Sequence, residues 1–212
     1  MSRQDEYTEK VKGHFRPLLA AHGQSFKAVD WGSKEGQTLR FSVLVQLLEH
    51  ARTVHNQEPL GTSILDVGCG LGHFRDYLDV LGFHGTYRGI DILPEMVSEA
   101  KRRHPNSKFD CYNLFQERTL PGSFDYVMAS GIFFCGDENG MHEAISILFE
   151  NCNQGLAFNS LSAWCEEKDE GEFCACPVKT IEFCRTLTPW LALKHDYMPN
   201  DFTIFMYKEK NS

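Results

Sequence analysis

From about residue 62 onward, the chain alternates short apolar stretches with amphipathic stretches of helical period. The short stretches are rich in β-branched and aromatic residues, which is typical of strands. The stretches between them repeat apolar positions every three or four residues, as at Phe74, Tyr77, Leu78 and Leu81, which favours helices packed on a sheet. This alternation predicts βαβ units and a mostly parallel sheet. Strands are expected near residues 62–67, 86–91, 107–112, 123–129 and 153–160.

The last part of the chain breaks this alternation and predicts a hairpin. Residues 190–197 and 202–208 have strand character and are joined by a short turn at 198–201. Two strands joined by so short a turn pair in antiparallel fashion. The sequence therefore predicts an α/β, doubly wound fold whose mostly parallel seven-stranded sheet ends in an antiparallel C-terminal hairpin.

Two helices are expected before the first strand. Residues 3–21 carry apolar side chains along one face, and Pro17 is expected to kink or restart that helix. Ser33 is placed to cap a second helix over residues 34–53. Arg40 lies on the apolar side of this second helix, so its guanidinium either extends to solvent or belongs to a site, and both alternatives stay open.

A single domain is expected, because 212 residues leave no comfortable room for two. Within it, we expect residues 1–58 to form a helical cap. Residues 59–212 are expected to form the α/β core, which would carry a cofactor.

A glycine-rich loop between the first strand and its helix is the most informative segment. Gly68, Gly70 and Gly72 stand at alternate positions, and glycine lets the main chain approach a ligand closely. The start of the following helix offers unpaired N–H groups. The next strand ends at Asp91, whose carboxylate is able to accept hydrogen bonds from two ribose hydroxyls. Together these features predict a site for a nucleotide-type cofactor.

These residues resemble the class I S-adenosylmethionine-dependent methyltransferases, whose loop reads acid-x-G-x-G-x-G. The acid here is Asp66. A dinucleotide loop is more often spaced G-x-G-x-x-G, which would put its last glycine where this chain has His73, so a nicotinamide cofactor is the second alternative. The resemblance implies a Rossmann-like fold from about residue 60 onward, and the first 55 residues resemble the helical cap of small bacterial members.

The resemblance implies S-adenosylmethionine as the cofactor and assigns residues to it. Asp91 is implied to hold the ribose hydroxyls and Asn113 the adenine amino group, with Asp110 as the competing choice for the latter. The residues implied to bind the cofactor are Asp66, Gly68, Cys69, Gly70, Gly72, Asp91, Ile92, Met96, Asn113 and Ser130.

On the acceptor side, the candidates are Trp31 and Arg40 in the cap and Phe133 after the fourth strand. Methyl transfer from a sulfonium is a direct displacement, so the enzyme mainly aligns the reactants and excludes water. A general base is needed only if the acceptor arrives protonated. By residue type, the candidate bases are His73, His142, Tyr7, Glu138 and His195.

Net charge and cysteine content indicate which classes of partner, cellular compartment and metal site to expect. The chain has 21 basic and 29 acidic residues, a net charge of −8, which disfavours nucleic acid and favours a small-molecule acceptor. No stretch predicts a signal peptide or a membrane span, so a cytoplasmic protein with no membrane partner is expected. Most of the eight cysteines are expected to be free thiols. No metal is expected, since Cys165, Cys174, Cys176 and Cys184 lack paired C-x-x-C spacing.

The sequence therefore predicts an S-adenosylmethionine-dependent methyltransferase that acts by in-line displacement on an oxygen or nitrogen atom of a small molecule. Methylation of a protein or tRNA is one alternative, and a catalytically inactive relative that keeps the cofactor loop is another. The acidic run 166–172 is interpreted as a solvated loop, with a lid over the acceptor as the alternative.

Overall fold

The computed structural model describes residues 3–166 and 171–209. Its helices are α1 (Arg3–His22), α2 (Lys34–Leu44), α3 (Glu49–His55), α4 (His73–Val80), α5 (Pro94–Arg103), α6 (Leu114–Glu117), α7 (Glu138–Asn151) and α8 (Pro177–Leu187). Its strands are β1 (Ser63–Val67), β2 (Thr86–Asp91), β3 (Lys108–Cys111), β4 (Phe124–Ala129), β5 (Cys152–Leu161), β6 (Leu191–Met198) and β7 (Asp201–Tyr207). The acidic run interpreted as a loop or a lid has its residues 167–170 outside this described part.

The seven strands form one sheet in the order β3-β2-β1-β4-β5-β7-β6. Strands β1 to β5 pair in parallel, and β7 pairs antiparallel with both β5 and β6. The predicted doubly wound fold with its C-terminal hairpin is therefore confirmed. The chain order reverses between β1 and β4, and ligands of open α/β sheets bind beyond the carboxyl ends of the strands at such a point.

The central strands are apolar on both faces because helices cover both sides of the sheet. Leu65 of β1 and Val127 of β4 have no exposed surface, and neither do their neighbours Ile64 and Tyr126 on the other face. Near-continuous burial of this kind is typical of parallel strands. Edge strand β6 is only partly buried.

The segment predicted as one helix over 34–53 is divided in the structure. Helix α2 is followed by a 3-10 segment, Val45–Leu48, and then by α3. The predicted cap is present, since the Ser33 side chain accepts a hydrogen bond from the Gly36 N–H at 2.9 Å. Leu44, Leu47 and Ala51 pack on the sheet, and this tertiary packing runs unbroken through the change in helix type.

Helix α1 lies over the carboxyl edge of the sheet rather than on one of its faces. Val11 packs there with Leu71, Leu93 and Met96. Pro17 lies inside α1, which continues to His22, so the expected restart of the helix does not occur. Within the described ranges, no helix is both long enough and apolar enough to cross a bilayer.

Candidate active site

A cavity of about 420 Å³ lies between the cap and the carboxyl ends of the central strands. The cap contributes side chains from α1, from the start of α2 and from the loop between them. The core contributes the loops that follow β1, β2, β3 and β4. Cap residues in the wall include Tyr7, Val11, Phe15, Val29, Trp31, Gln37 and Phe41.

Every residue expected to bind the cofactor lines this cavity except Gly72. Gly72 precedes α4 with φ 79°, and a Cβ there would lie 2.9 Å from Cδ2 of His104. Its contribution is therefore the backbone turn into the helix. Asp110 is also outside the wall, and its carboxylate pairs with Arg88 at 2.7 Å.

The glycine loop allows two other segments to close on it. Gly68 has φ +72°, and a Cβ there would lie only 2.3 Å from Cγ2 of Ile132. Gly70 has φ +51°, and a Cβ there would lie 2.9 Å from Cγ1 of Val29 in the cap. Side chains at these positions would push both segments away, so glycine shapes the cavity as well as the turn.

Asp91 presents a carboxylate that is held by the backbone on both oxygens. Oδ2 accepts from the Gly70 N–H at 2.8 Å, and Oδ1 accepts from the Leu93 N–H at 2.9 Å. Burial raises the pKa of Asp91, and these N–H groups oppose the rise. A carboxylate has about four acceptor positions, so each oxygen retains capacity for a further donor.

Asp66 is a second carboxylate in the same wall, and only 3% of the residue is exposed. Its Oδ2 accepts from the Tyr87 hydroxyl at 2.6 Å. Burial raises the pKa of Asp66 to about 7, although the hydrogen bond from Tyr87 opposes the rise. The carboxyl therefore titrates close to neutral pH.

Asn113 connects the core to the cap. Its Oδ1 accepts from the Phe115 N–H at 3.1 Å and caps α6, while Nδ2 donates to Oγ1 of Thr8 at 3.3 Å. One amide proton and one acceptor position remain available for a ligand. Ile92 and Met96, which follow Asp91 in the sequence, form an apolar part of the wall.

The loop after β4 is held by a residue that the sequence analysis missed. Asn159 of β5 has no exposed surface; its Oδ1 accepts from the Gly131 N–H at 2.8 Å and its Nδ2 donates to Oγ of Ser130 at 3.0 Å. An amide that directly follows the apolar run 156–158, towards the end of a buried strand, is the signal that could have identified it. Phe133 continues this wall and meets Phe158 edge to face.

Two of the candidate bases, His73 and Tyr7, line the cavity but already have partners. Nε2 of His73 lies 3.0 Å from the Gln24 carbonyl and must donate to it, so Nδ1 accepts from the Gln37 amide at 3.2 Å. Burial lowers the pKa of His73. The Tyr7 hydroxyl donates to the Ile132 carbonyl at 2.8 Å, and burial raises its pKa. Both side chains thus tie the cap to the core.

The other candidate bases lie outside the cavity wall. The ring of His142 stacks on Phe183 with centroids 3.8 Å apart. Nε2 of His195 lies 2.8 Å from Oγ of Ser162. Glu138 begins α7, facing solvent. Residue type alone suggested these three, and none of them is part of the cavity wall.

Trp31 lines the cavity, whereas Arg40 lies behind it. Nε of Arg40 donates to Oδ2 of Asp201 at 2.8 Å, and the guanidinium lies 4.7 Å from the centroid of the Trp31 ring. The Arg40 guanidinium therefore neither reaches solvent nor lines the cavity: it is buried and paired with a carboxylate.

Among the described residues, which include all eight cysteines, no two cysteines are joined in a disulfide. Cys184 is buried in the core, while Cys165, Cys174 and Cys176 are partly exposed. A search of residues 3–166 and 171–209 finds no group of three or more His, Cys, Asp or Glu side chains arranged to hold a metal ion.

The chain is similar in sequence to known methyltransferases. Residues 64–155 match the family model of a methyltransferase domain. Rv1506c of Mycobacterium tuberculosis, named as a methyltransferase, is 32% identical over 173 residues, which are 74% of this chain and 98% of that protein. Aklanonic acid methyltransferase DauC of Streptomyces sp. strain C5 is 34% identical over 97 residues, which are 42% of this chain and 44% of that protein.

The fold is shared with a solved methyltransferase structure. Magnesium protoporphyrin IX methyltransferase of Synechocystis PCC 6803, crystallised with bound S-adenosylmethionine, superposes with a TM-score of 0.68 at 15% sequence identity. The match covers 99% of this chain and 98% of that one. It therefore includes the cap as well as the sheet.

Proposed function

This chain belongs to the class I S-adenosylmethionine-dependent methyltransferases, and from that premise we propose that it methylates an oxygen or nitrogen atom of a small-molecule acceptor. The observation that carries the proposal is the cavity of about 420 Å³, which is walled on one side by the cofactor loop and on the other by the cap. Relatives with named substrates act on aklanonic acid and magnesium protoporphyrin IX, both small molecules.

The charged and polar groups of the wall fit the cofactor. The remaining acceptor positions on Asp91 suit the two ribose hydroxyls, and the carboxylate of Asp66 suits the ammonium of the methionine portion. Ile92 and Met96 offer apolar surface to the adenine, and the unused positions of the Asn113 amide suit its amino group. Around these, the backbone of the glycine loop and Ser130 complete the proposed cofactor site: Gly68, Cys69, Gly70, Gly72 and Ser130.

Bound S-adenosylmethionine supplies a methyl group activated by a positively charged sulfur. The role of the protein is to align the acceptor and to exclude water. Asn159 holds Ser130 and Gly131 in place, and Trp31 and Phe133 form apolar surface next to that loop. These side chains would hold the acceptor in line while the cap keeps solvent out.

The acceptor that suits this cavity carries a free lone pair at neutral pH, such as a carboxylate or a neutral amine. His73 accepts from Gln37 through the nitrogen that a base would use, and Tyr7 donates to a carbonyl with its pKa raised. Neither is free to remove a proton. In-line displacement then needs no general base from these residues.

A small acceptor suits the cavity better than a protein or tRNA. The cap restricts the space above the cofactor loop, and a net charge of −8 disfavours a polyanion. The lack of disulfides among the described cysteines fits a reducing compartment, so a cytoplasmic location is part of the proposal.

Calorimetry against S-adenosylmethionine, S-adenosylhomocysteine and NAD tests the cofactor, with micromolar binding of the first two and none of NAD expected. A panel of carboxylic acids and amines, with phenols included as acceptors that would need a base, is then incubated with S-adenosylmethionine and followed by mass spectrometry. Products that gain one methyl group support the proposal. Transfer of labelled methyl groups to RNA or protein fractions, with none to the panel, would contradict it.

A further inference from the structure

A buried polar cluster joins the cap to the C-terminal hairpin behind the cavity wall. Nε of Arg40 and Oδ2 of Asp201 are 2.8 Å apart, and their side chains are 7% and 3% exposed. The Tyr197 hydroxyl donates to Oδ1 of Asp201 and lies 2.8 Å from Oγ1 of Thr203. Both oxygens of Asp201 are therefore engaged, one by the cap and one by the hairpin.

The indole of Trp31 lies between this cluster and the loop after β4. The Arg40 guanidinium is 4.7 Å from the ring centroid. Two carbons of the ring lie 3.1 and 3.2 Å from the place that a Cβ of Gly131 would take. Gly131 is itself held by Asn159, at 2.8 Å. The indole thus has a charged group behind it and an immobilised backbone in front.

The chemistry of arginine suits this double contact. A planar guanidinium stacks on an aromatic ring while its edge pairs with a carboxylate, and lysine cannot do both. Asp201 fixes the orientation of the plane, and the Tyr197 hydroxyl fixes Asp201. Trp31 lines the cavity and the other three do not, so the indole is the member of this cluster that a ligand would contact.

We propose that Arg40, Asp201 and Tyr197 are positioning residues that hold the Trp31 indole as the cap-side wall of the cavity and so limit the size of the acceptor. The limit on acceptor size rests on the proposed function. The positioning of the indole does not, because it is a property of the protein without acceptor.

The first test isolates the fluorescence of Trp31. The chain has three tryptophans, and Trp164 and Trp190 are exposed, so replacing both by Phe leaves Trp31 as the single emitter. In that background, Arg40→Met is expected to raise the bimolecular constant for acrylamide quenching, obtained from lifetimes, about twofold or more. Affinity for S-adenosylhomocysteine by calorimetry should stay within about twofold. Arg103→Met, which removes a partly buried arginine paired with Asp76, is the matched control and should leave quenching unchanged.

A second variant guards against loss of folding. Removing one partner of a buried ion pair leaves an unpaired charge, whereas replacing both by apolar residues is often tolerated. Arg40→Met/Asp201→Leu should therefore stay folded by circular dichroism and still show raised quenching. Tyr197→Phe should raise quenching less, because only one of the two bonds to Asp201 is lost.

Three outcomes would overturn the proposal. Unchanged quenching in the folded double variant would make the cluster a structural ion pair only. A loss of S-adenosylhomocysteine affinity in Arg40→Met well beyond twofold would show that the cluster supports the cofactor site rather than the indole. On the acceptor panel, Arg40→Met should gain turnover of bulkier acceptors, and an unchanged preference would refute the size limit. Absence of any turnover in the unmodified protein would instead count against the proposed function, with the quenching result unaffected.

Discussion

At the scale of single residues, two carboxylates face the same cavity but are held in different ways. Asp91 is fixed by two backbone N–H groups, which favour its ionised form. Burial raises the pKa of both carboxyl groups, but at Asp66 a single hydrogen bond, from the Tyr87 hydroxyl, opposes the rise. The two residues should therefore respond differently to substitution and to pH.

Asp91→Ala is expected to weaken binding of S-adenosylhomocysteine about tenfold or more. Hydrogen bonds to a charged partner are worth roughly 1.5–3 kcal/mol each. The variant would lose both carboxylate oxygens that are proposed to accept from the ribose hydroxyls. Calorimetry measures the change, and a thermal melt checks that the loop stays folded. Asp110→Ala is the matched control, since Asp110 lies outside the cavity wall and should leave the affinity unchanged. Equal affinities for Asp91→Ala and the unmodified protein would remove Asp91 from the site.

The pKa of Asp66, raised to about 7 by burial, predicts a pH dependence of binding. In the proposed site the ionised form would pair with the ligand ammonium, so affinity for S-adenosylhomocysteine should increase as the pH rises through about 7. Calorimetry in buffers of different ionisation enthalpy measures the linked proton release. Asp66→Asn should abolish this step, and a step that persisted in the variant would belong to another group.

The same shift has the opposite sign for the stability of the free protein. Between the ordinary pKa of an aspartate and about 7, the folded state binds the Asp66 proton more tightly than the unfolded state. The contribution of Asp66 to the free energy of unfolding is therefore fully present in acid and lost as the pH rises through that window.

At the scale of elements, the N-cap of α2 holds the start of the helix that carries Arg40. Ser33→Ala removes the acceptor for the Gly36 N–H and should lower the free energy of unfolding by about 1 kcal/mol. Urea denaturation measures the difference. Ser98→Ala, an exposed position inside α5, is the control and should be neutral or slightly stabilising, because alanine is the better helix former. Equal losses in the two variants would show that the cap itself contributes nothing.

The elements were predictable where local pattern decides them. Each of the seven strands begins and ends within one residue of its expected bounds. For central strands such as β1 and β4, burial on both faces leaves a continuous apolar stretch that marks them in the sequence. The division between α2 and α3 was not predictable, because it depends on packing against the sheet. Roles that depend on remote partners were not predictable: Arg40 was expected on the acceptor side but pairs with Asp201, 161 positions away, and Asn159, which holds the loop after β4, was missed.

At the scale of the whole molecule, the N-terminal region has two roles. Helix α1 covers the cavity, whereas α2, the 3-10 segment after it and α3 bury Leu44, Leu47 and Ala51 in the core beside the sheet. A chain without residues 1–24 should still unfold cooperatively but bind S-adenosylhomocysteine more weakly. A chain without residues 1–58 should show no cooperative thermal transition by circular dichroism. Cooperative unfolding of the 59–212 fragment would instead show that the core is a domain on its own.

The ion pair between Arg40 and Asp201 also has a consequence for biosynthesis. Arg40 leaves the ribosome well before Asp201, because 161 residues separate them. Until β7 has been translated and has added to the sheet, the Arg40 guanidinium lacks the carboxylate of Asp201, and the cap lacks its ion pair with the hairpin. A nascent chain stalled before β7 would thus remain accessible to chaperones and proteases. Only a chain translated to the end of this strand would fold with the cap closed over the cavity.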